Sequence, residues 1–254
     1  MRYALAAMLA LALVPAPASA RSLEQIKSSG SVSACLPANA MPFSHREGEP
    51  RGFQVDVANA LAKQLGVSLE AQWVISPIQA LRASCDLRMD VIADVEAQHA
   101  SHLTISKPYY RSGVALVSRP ERPLKALTDL GPDTKVAVMV GSITSMILSQ
   151  RGVGLTTYAF EDEMLQAVSN GEADAAMVTP ASAGYFNLAH PEKKLGFVLP
   201  PDAQDGMAWN IAVGLRRPDQ PFRDAIDATI DKLMADGTLA SIYGKYGLTL
   251  TPPK

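Results

Sequence analysis

Residues 52–67 read GFQVDVANALAKQLGV. Within them Val57, Ala58, Leu61 and Leu65 fall on one stripe of an α-helix, with polar residues on the other side. Gly66 follows the last of the stripe, where a glycine stops a helix. The flanks carry a different signal: SVSACL (31–36) precedes and SLEAQW (68–73) follows, both short runs of strand character. A helix between two strands is a βαβ unit, and that unit decides the class, α/β with parallel-type sheets.

The alternation continues outward. PIQALRAS is a helix opened by Pro77, and MDVIADV is a strand. GVALVS follows a Pro-Tyr-Tyr segment and leads into a proline-rich loop, RPERPLKALTDLGPD. The pattern then restarts with KVAVMV, ITSMILSQRG, LTTYAF, DEMLQAVSNG, DAAMVT, ASAGYFNLAH and LGFVL. NIAVGLR precedes a long helix in which Phe222, Ala225, Ile226, Ile230, Leu233 and Met234 recur at helical spacing until Gly237. Two such runs, before and after residues 112–118, predict two α/β lobes. Periodicity does not say to which of them NIAVGLR belongs.

The first twenty residues, MRYALAAMLALALVPAPASA, have the form of a signal peptide: Arg2, an apolar run, then Ala18-Ser19-Ala20 as cleavage pattern. The run is too short to span a bilayer, and no later stretch is long and apolar enough. The fold is therefore read from residues 21–254, in an exported compartment and not membrane-embedded. The formal net charge is −2 without clustered blocks, so no basic face for nucleic acid is expected. Cys35 and Cys85 are the only cysteines, and an isolated pair in an exported chain favours a disulfide.

Several segments fall together in one recognisable order: SLEQIKSSGSVSACLPANAMPFS, GFQVDVANALAKQLGV, MDVIAD, ISKPYY, VGSITS, AVSNGEADAAMVT and LMADGTLASIYGKYG. Together they resemble the periplasmic solute-binding proteins of the polar amino acid type, bacterial extracellular solute-binding protein family 3. The resemblance implies a two-lobed, type II periplasmic-binding-protein fold with two interlobe crossovers, near residues 110–117 and 205–213. Lobe one would be residues 21–112 plus 212–254, and lobe two 113–211. It further implies a periplasmic receptor for a small-molecule ligand that serves an ABC importer, with no cofactor and no catalytic residue.

In the amino-acid-binding members an Arg, seven residues before the Ser of the F-S-x-P-Y segment, forks onto the ligand carboxylate. That position here is His99, seven before Ser106, and the loop is shorter than usual. The ammonium-binding Asp after the D-A-x-x-x strand is replaced by Thr179, which carries no counter-charge. An ordinary α-amino acid is therefore not the expected ligand. Asp94, Glu96, His99 and His102 crowd one short stretch. They are open to three readings: metal ligands, a solvated loop, or polar contacts of the cleft, the last being the one adopted, with no metal. Asn39 and Phe43 lie in the first loop, and Trp73 ends a strand. Ser142 and Thr144 precede a helix, where they hold an anion or simply cap it. Tyr109, Tyr110 and Arg111 are read as hinge packing.

Two other functions share the fold. CLPANAMPFS, the pair Cys85-Asp86 and PYYRS resemble a branch associated with periplasmic quinoprotein dehydrogenases, which would make such an enzyme the partner. A periplasmic dehydratase of this fold has a catalytic Glu shortly after the lobe-two strand, where this chain reads TPASAGYF without a carboxylate.

Overall fold

The computed structural model describes residues 21–94, 103–201 and 206–254. Residues 1–20, and with them the signal-peptide reading, lie outside the described residues, as do Glu96, His99 and His102. In chain order the elements are α1 (Leu23–Ser29), β1 (Ser31–Pro37), β2 (Asn39–Ala40), β3 (Ser44–His45), α2 (Phe53–Leu65), β4 (Ser68–Val74), α3 (Pro77–Arg82) and β5 (Leu87–Ile92). There follow β6 (Leu103–Ile105), β7 (Tyr110–Gly113), β8 (Ala115–Ser118), β9 (Lys135–Met139), α4 (Ile143–Gln150), β10 (Gly154–Tyr158), α5 (Glu161–Asn170) and β11 (Ala175–Val178). The rest are α6 (Pro180–Ala189), β12 (Gly196–Val198), β13 (Ala208–Arg216), α7 (Gln220–Ala235) and α8 (Thr238–Lys245).

The stripe read from the sequence is the buried face of α2: Val57, Ala58, Leu61 and Leu65 all lie in the core between α2, β1, α7 and α8. Each fully buried aliphatic side chain there contributes about 1.5–3 kcal/mol. Gly52 starts this helix for two steric reasons. Its φ of 99° disfavours other residues, and a Cβ would sit 2.4 Å from the Phe43 carbonyl oxygen. The space is taken by backbone, while the Gly52 N–H donates to the Tyr246 hydroxyl at 3.1 Å.

Two sheets form two lobes. The first runs β4-β1-β5-β13-β6 with β7 also on β13; the second runs β10-β9-β11-β8-β12. The expectation of parallel-type sheets holds for β4, β1 and β5 and for β10, β9 and β11. It needs correcting elsewhere: β13 is antiparallel to β5, β6 and β7, and β8 is antiparallel to β11 and β12. The reason is connectivity. A strand arriving from the other lobe enters the sheet without a crossover helix, so nothing turns it parallel. NIAVGLR, as β13, sits inside the first sheet.

The lobes also touch through α6 and the segment after α8. A Cβ on Gly184 would lie 2.4 Å from the Gly247 carbonyl oxygen, and the Tyr185 and Tyr246 rings stand 6.4 Å apart beside it. Cys35 and Cys85 are bonded, with Cα atoms 5.5 Å apart, tying β1 to the residue before Asp86. Asp86 accepts from the Ser33 amide (2.8 Å) and hydroxyl (2.7 Å) and from Arg21. Burial pushes its carboxyl up, but Arg21 and Ser33 outweigh that and hold it below the usual carboxylate range.

Candidate functional site

A cavity of about 560 Å³ opens at the carboxyl ends of β1 and β4, where ligands sit in open α/β sheets. Its floor is β5. Arg88 lies opposite Cys35 in the register with β1, and Asp90 follows two residues on, where the pairing of β5 with β13 shifts register. Gln54, in the first turn of α2, and Asn39 and Ser76 add polar groups. Val74 and Ile75 form an apolar side, and Phe160 closes from the second lobe, in the turn between β10 and α5.

The polar groups are held in place. Gln54 is 6% exposed; its Nε2 donates to Asp90 Oδ2 at 3.1 Å, and its Oε1 has no protein partner. Tyr109 donates to Asp90 Oδ1 at 2.5 Å. Asp90 stands at a φ of 51°, a left-handed backbone that costs a non-glycine residue about 1–2 kcal/mol and is kept here by these two bonds. Burial drives the Asp90 carboxyl above its usual range, against the pull of Tyr109 and Gln54. Burial also pushes the Tyr109 hydroxyl well up, with Asp90 reinforcing it. Arg88 is half-buried, and burial lowers its guanidinium from the ordinary value. Among the described residues it makes no ion pair and no side-chain hydrogen bond.

Of the positions read from the sequence, Asn39 lines this cavity. Phe43 packs on Phe53 with the rings tilted, centroids 5.2 Å apart, and Trp73 packs on the first core beneath the Arg51 guanidinium at 5.0 Å. Asp94 is exposed just past β5. Ser142 caps α4, accepting from the Ser145 amide at 3.1 Å, and Thr144 is buried in that helix. Thr179 caps α6, accepting from the Ser182 amide at 3.3 Å, and donates its hydroxyl to Glu161 Oε2 at 2.7 Å. The Thr179 amide takes the other Glu161 oxygen at 2.9 Å. Among the described residues no cluster of His, Cys, Asp and Glu is arranged for a metal, and no helix is long and apolar enough to cross a membrane.

Sequence reasoning missed Gln54, Ser76, Arg88, Asp90, Phe160 and Glu161. A signal for two of them was present. Arg88 and Asp90 alternate inside an otherwise apolar strand, where charged residues are rarely buried unless paired. Phe160 and Glu161 gave none, because their positions depend on how the second lobe faces the first.

A model of the bacterial extracellular solute-binding proteins, family 3, matches residues 32–249. The L-cystine-binding protein TcyJ of Escherichia coli (strain K12) is 30% identical over 261 residues, covering 96% of this chain and 95% of its own. Among solved structures, an ancestral cationic amino acid solute-binding protein superposes with a TM-score of 0.77 at 24% identity, covering 89% of this chain and 99% of the other. The periplasmic binding protein XoxJ from Methylobacterium extorquens AM1 gives 0.70 at 22% identity, covering 87% and 99%. At these identities the two structures show the fold alone.

Proposed function

The chain belongs to family 3 of the bacterial extracellular solute-binding proteins, and from that premise we propose that it is a periplasmic receptor. It captures a small polar solute in the interlobe cleft, hands it to an ABC-type importer and catalyses nothing. The observation that carries this reading is the cavity of about 560 Å³ between first-lobe strand ends and Phe160, since closure of two lobes on a solute is a hinge motion. The lobes divide as residues 21–112 plus 212–254 and 113–211. Asn39 contacts the solute with Gln54 and Arg88. Asp94, Ser142, Thr144 and Thr179 approach it on closure, and Phe43 and Trp73 back the wall.

The solute is not an ordinary α-amino acid. The Thr179 hydroxyl is committed to Glu161 and Ser182, and both Glu161 oxygens already accept from Thr179. Asp90 lines the cavity, and its carboxyl oxygens are already taken by Tyr109 and Gln54. With Thr179 where an aspartate would stand, an ammonium group meets a hydroxyl and no counter-charge at that position, a loss of about 3–5 kcal/mol in a desolvated site, or roughly 150- to 5,000-fold in affinity. Calorimetry at neutral pH against the twenty standard amino acids and L-cystine should show no binding tighter than about 100 μM, the level reached when that factor weakens a micromolar binder. Micromolar binding of any of them would refute this assignment.

A second reading rests on the bonded Cys35–Cys85 pair beside Asp86, together with CLPANAMPFS and PYYRS: an accessory protein of a periplasmic quinoprotein dehydrogenase. A stable complex between the purified protein and its host's dehydrogenase would favour this reading. Solute uptake that depends on both this protein and a permease would favour the first.

A further inference from the structure

We propose that the cavity selects an amphipathic organic anion, whose carboxylate-type head lies on Arg88 and whose apolar body rests on Val74, Ile75 and Phe160. This deepens the reading of the chain as a solute-binding protein and rests on it. The first observation is the charge. Arg21, Arg119 and Lys245, which are also partly withdrawn from water or extended along the surface, each reach a carboxylate. Arg88 faces the cavity and reaches none among the described residues. A guanidinium withdrawn from water without a counter-ion is unfavourable, and its planar fork matches a carboxylate.

The second observation is where the neighbouring carboxyl points. Asp90, two residues along the same strand, takes its hydrogen bonds from Tyr109 and Gln54, not from Arg88. The buried Gln54 amide is spent on Asp90 through its nitrogen and leaves its own oxygen unsatisfied at the cavity wall. The third observation is the remaining lining. Ile75 is 86% and Phe160 59% exposed, on opposite sides of the opening, so a solute between them covers apolar surface that the protein does not. A bare inorganic oxyanion satisfies Arg88 but not these walls, whereas a monocarboxylate with a hydrocarbon or aromatic body satisfies both.

The probes are hexanoate and benzoate, their neutral counterparts hexan-1-ol and benzyl alcohol, and sulfate, all measured by calorimetry at neutral pH. At least one carboxylate should bind below about 100 μM and about 100-fold more tightly than its alcohol, as expected for a charge-assisted contact in a desolvated site. Sulfate should bind more weakly than that carboxylate. Arg88→Met should abolish the carboxylate binding, while the ligand-free variant should melt at or above wild type, because it sheds an uncompensated charge. Equal affinity for acid and alcohol, or retained affinity in Arg88→Met, would overturn the proposal. A clear fall in the melting temperature of that variant would do the same, by giving Arg88 a structural role. If uncharged polar solutes bind and the carboxylates do not, the anion assignment falls and the solute-binding reading stands. If neither group binds, both fall.

Discussion

Replacing Gly184 with alanine sets two effects of opposite sign against each other. Gly184 is in the middle of α6, where alanine is favoured over glycine by about 0.5–1 kcal/mol. Against this, the added Cβ would lie 2.4 Å from the Gly247 carbonyl oxygen and 3.1 Å from its carbon. Carbon–oxygen contacts settle near 3.3 Å or beyond, so α6 and the segment after α8 must part by about 0.9 Å. Both atoms met are backbone and cannot rotate away. Overpacking of this kind costs about 1–3 kcal/mol, which leaves a net loss of up to about 2.5 kcal/mol. Gly244, in α8, is the matched control, because nothing lies within 4 Å of its Cβ position. Gly244→Ala should gain about 0.5–1 kcal/mol. The gain from alanine is common to both, so at about 2–4 °C per kcal/mol for a chain of this size the two variants should separate by roughly 2–12 °C in scanning calorimetry. A Gly184→Ala protein melting as high as Gly244→Ala would refute the close backbone contact.

Other outcomes follow from named contacts. Breaking the Cys35–Cys85 bond, which closes a separation of 50 residues, should lower stability by about 4 kcal/mol, read as a fall in Tm on adding reductant. Alkylation of the native protein without reductant should label neither thiol. Asp86→Asn should lose about 2 kcal/mol at neutral pH by removing charge-assisted bonds to Arg21 and Ser33. Because the folded carboxyl titrates below its unfolded value near 3.9, that contribution is complete above about pH 4 and fades as pH falls through the folded pKa. A wild-type-to-variant gap that stays constant from pH 7 to pH 3 would contradict this.

The helices and strands were legible wherever one periodicity ran undisturbed, as in α2 and α7. The disulfide was legible from two cysteines in a chain of exported type. The membership of β13 was not, since strand pairing across more than a hundred residues leaves no local mark. Of the residues that line the cavity, Asn39 was legible in the sequence. Arg88 and Asp90 were absorbed into the body of a strand, and the register shift that parts them leaves no mark in the sequence. Phe160 read as the end of LTTYAF and meets the cavity because the second sheet turns there. The bond between Thr179 and Glu161 joins two helix starts 18 residues apart, and neither identity alone suggests the other.

Among the described residues Phe160 is the sole lining side chain supplied by the second lobe, and Cys35, on the opposite wall, is covalently bonded to Cys85. In the proposed receptor one half is thus a nearly finished berth, stiffened by a cross-link, and the other half is a latch. A solute landing on the open form meets almost its whole surface before any movement, so its arrival rate should be close to that for a rigid pocket. Its residence time is set instead by how long the latch stays shut. Shortening Phe160 should therefore speed departure and leave arrival unchanged, which places the control of release in the lobe that contributes least to the cavity wall.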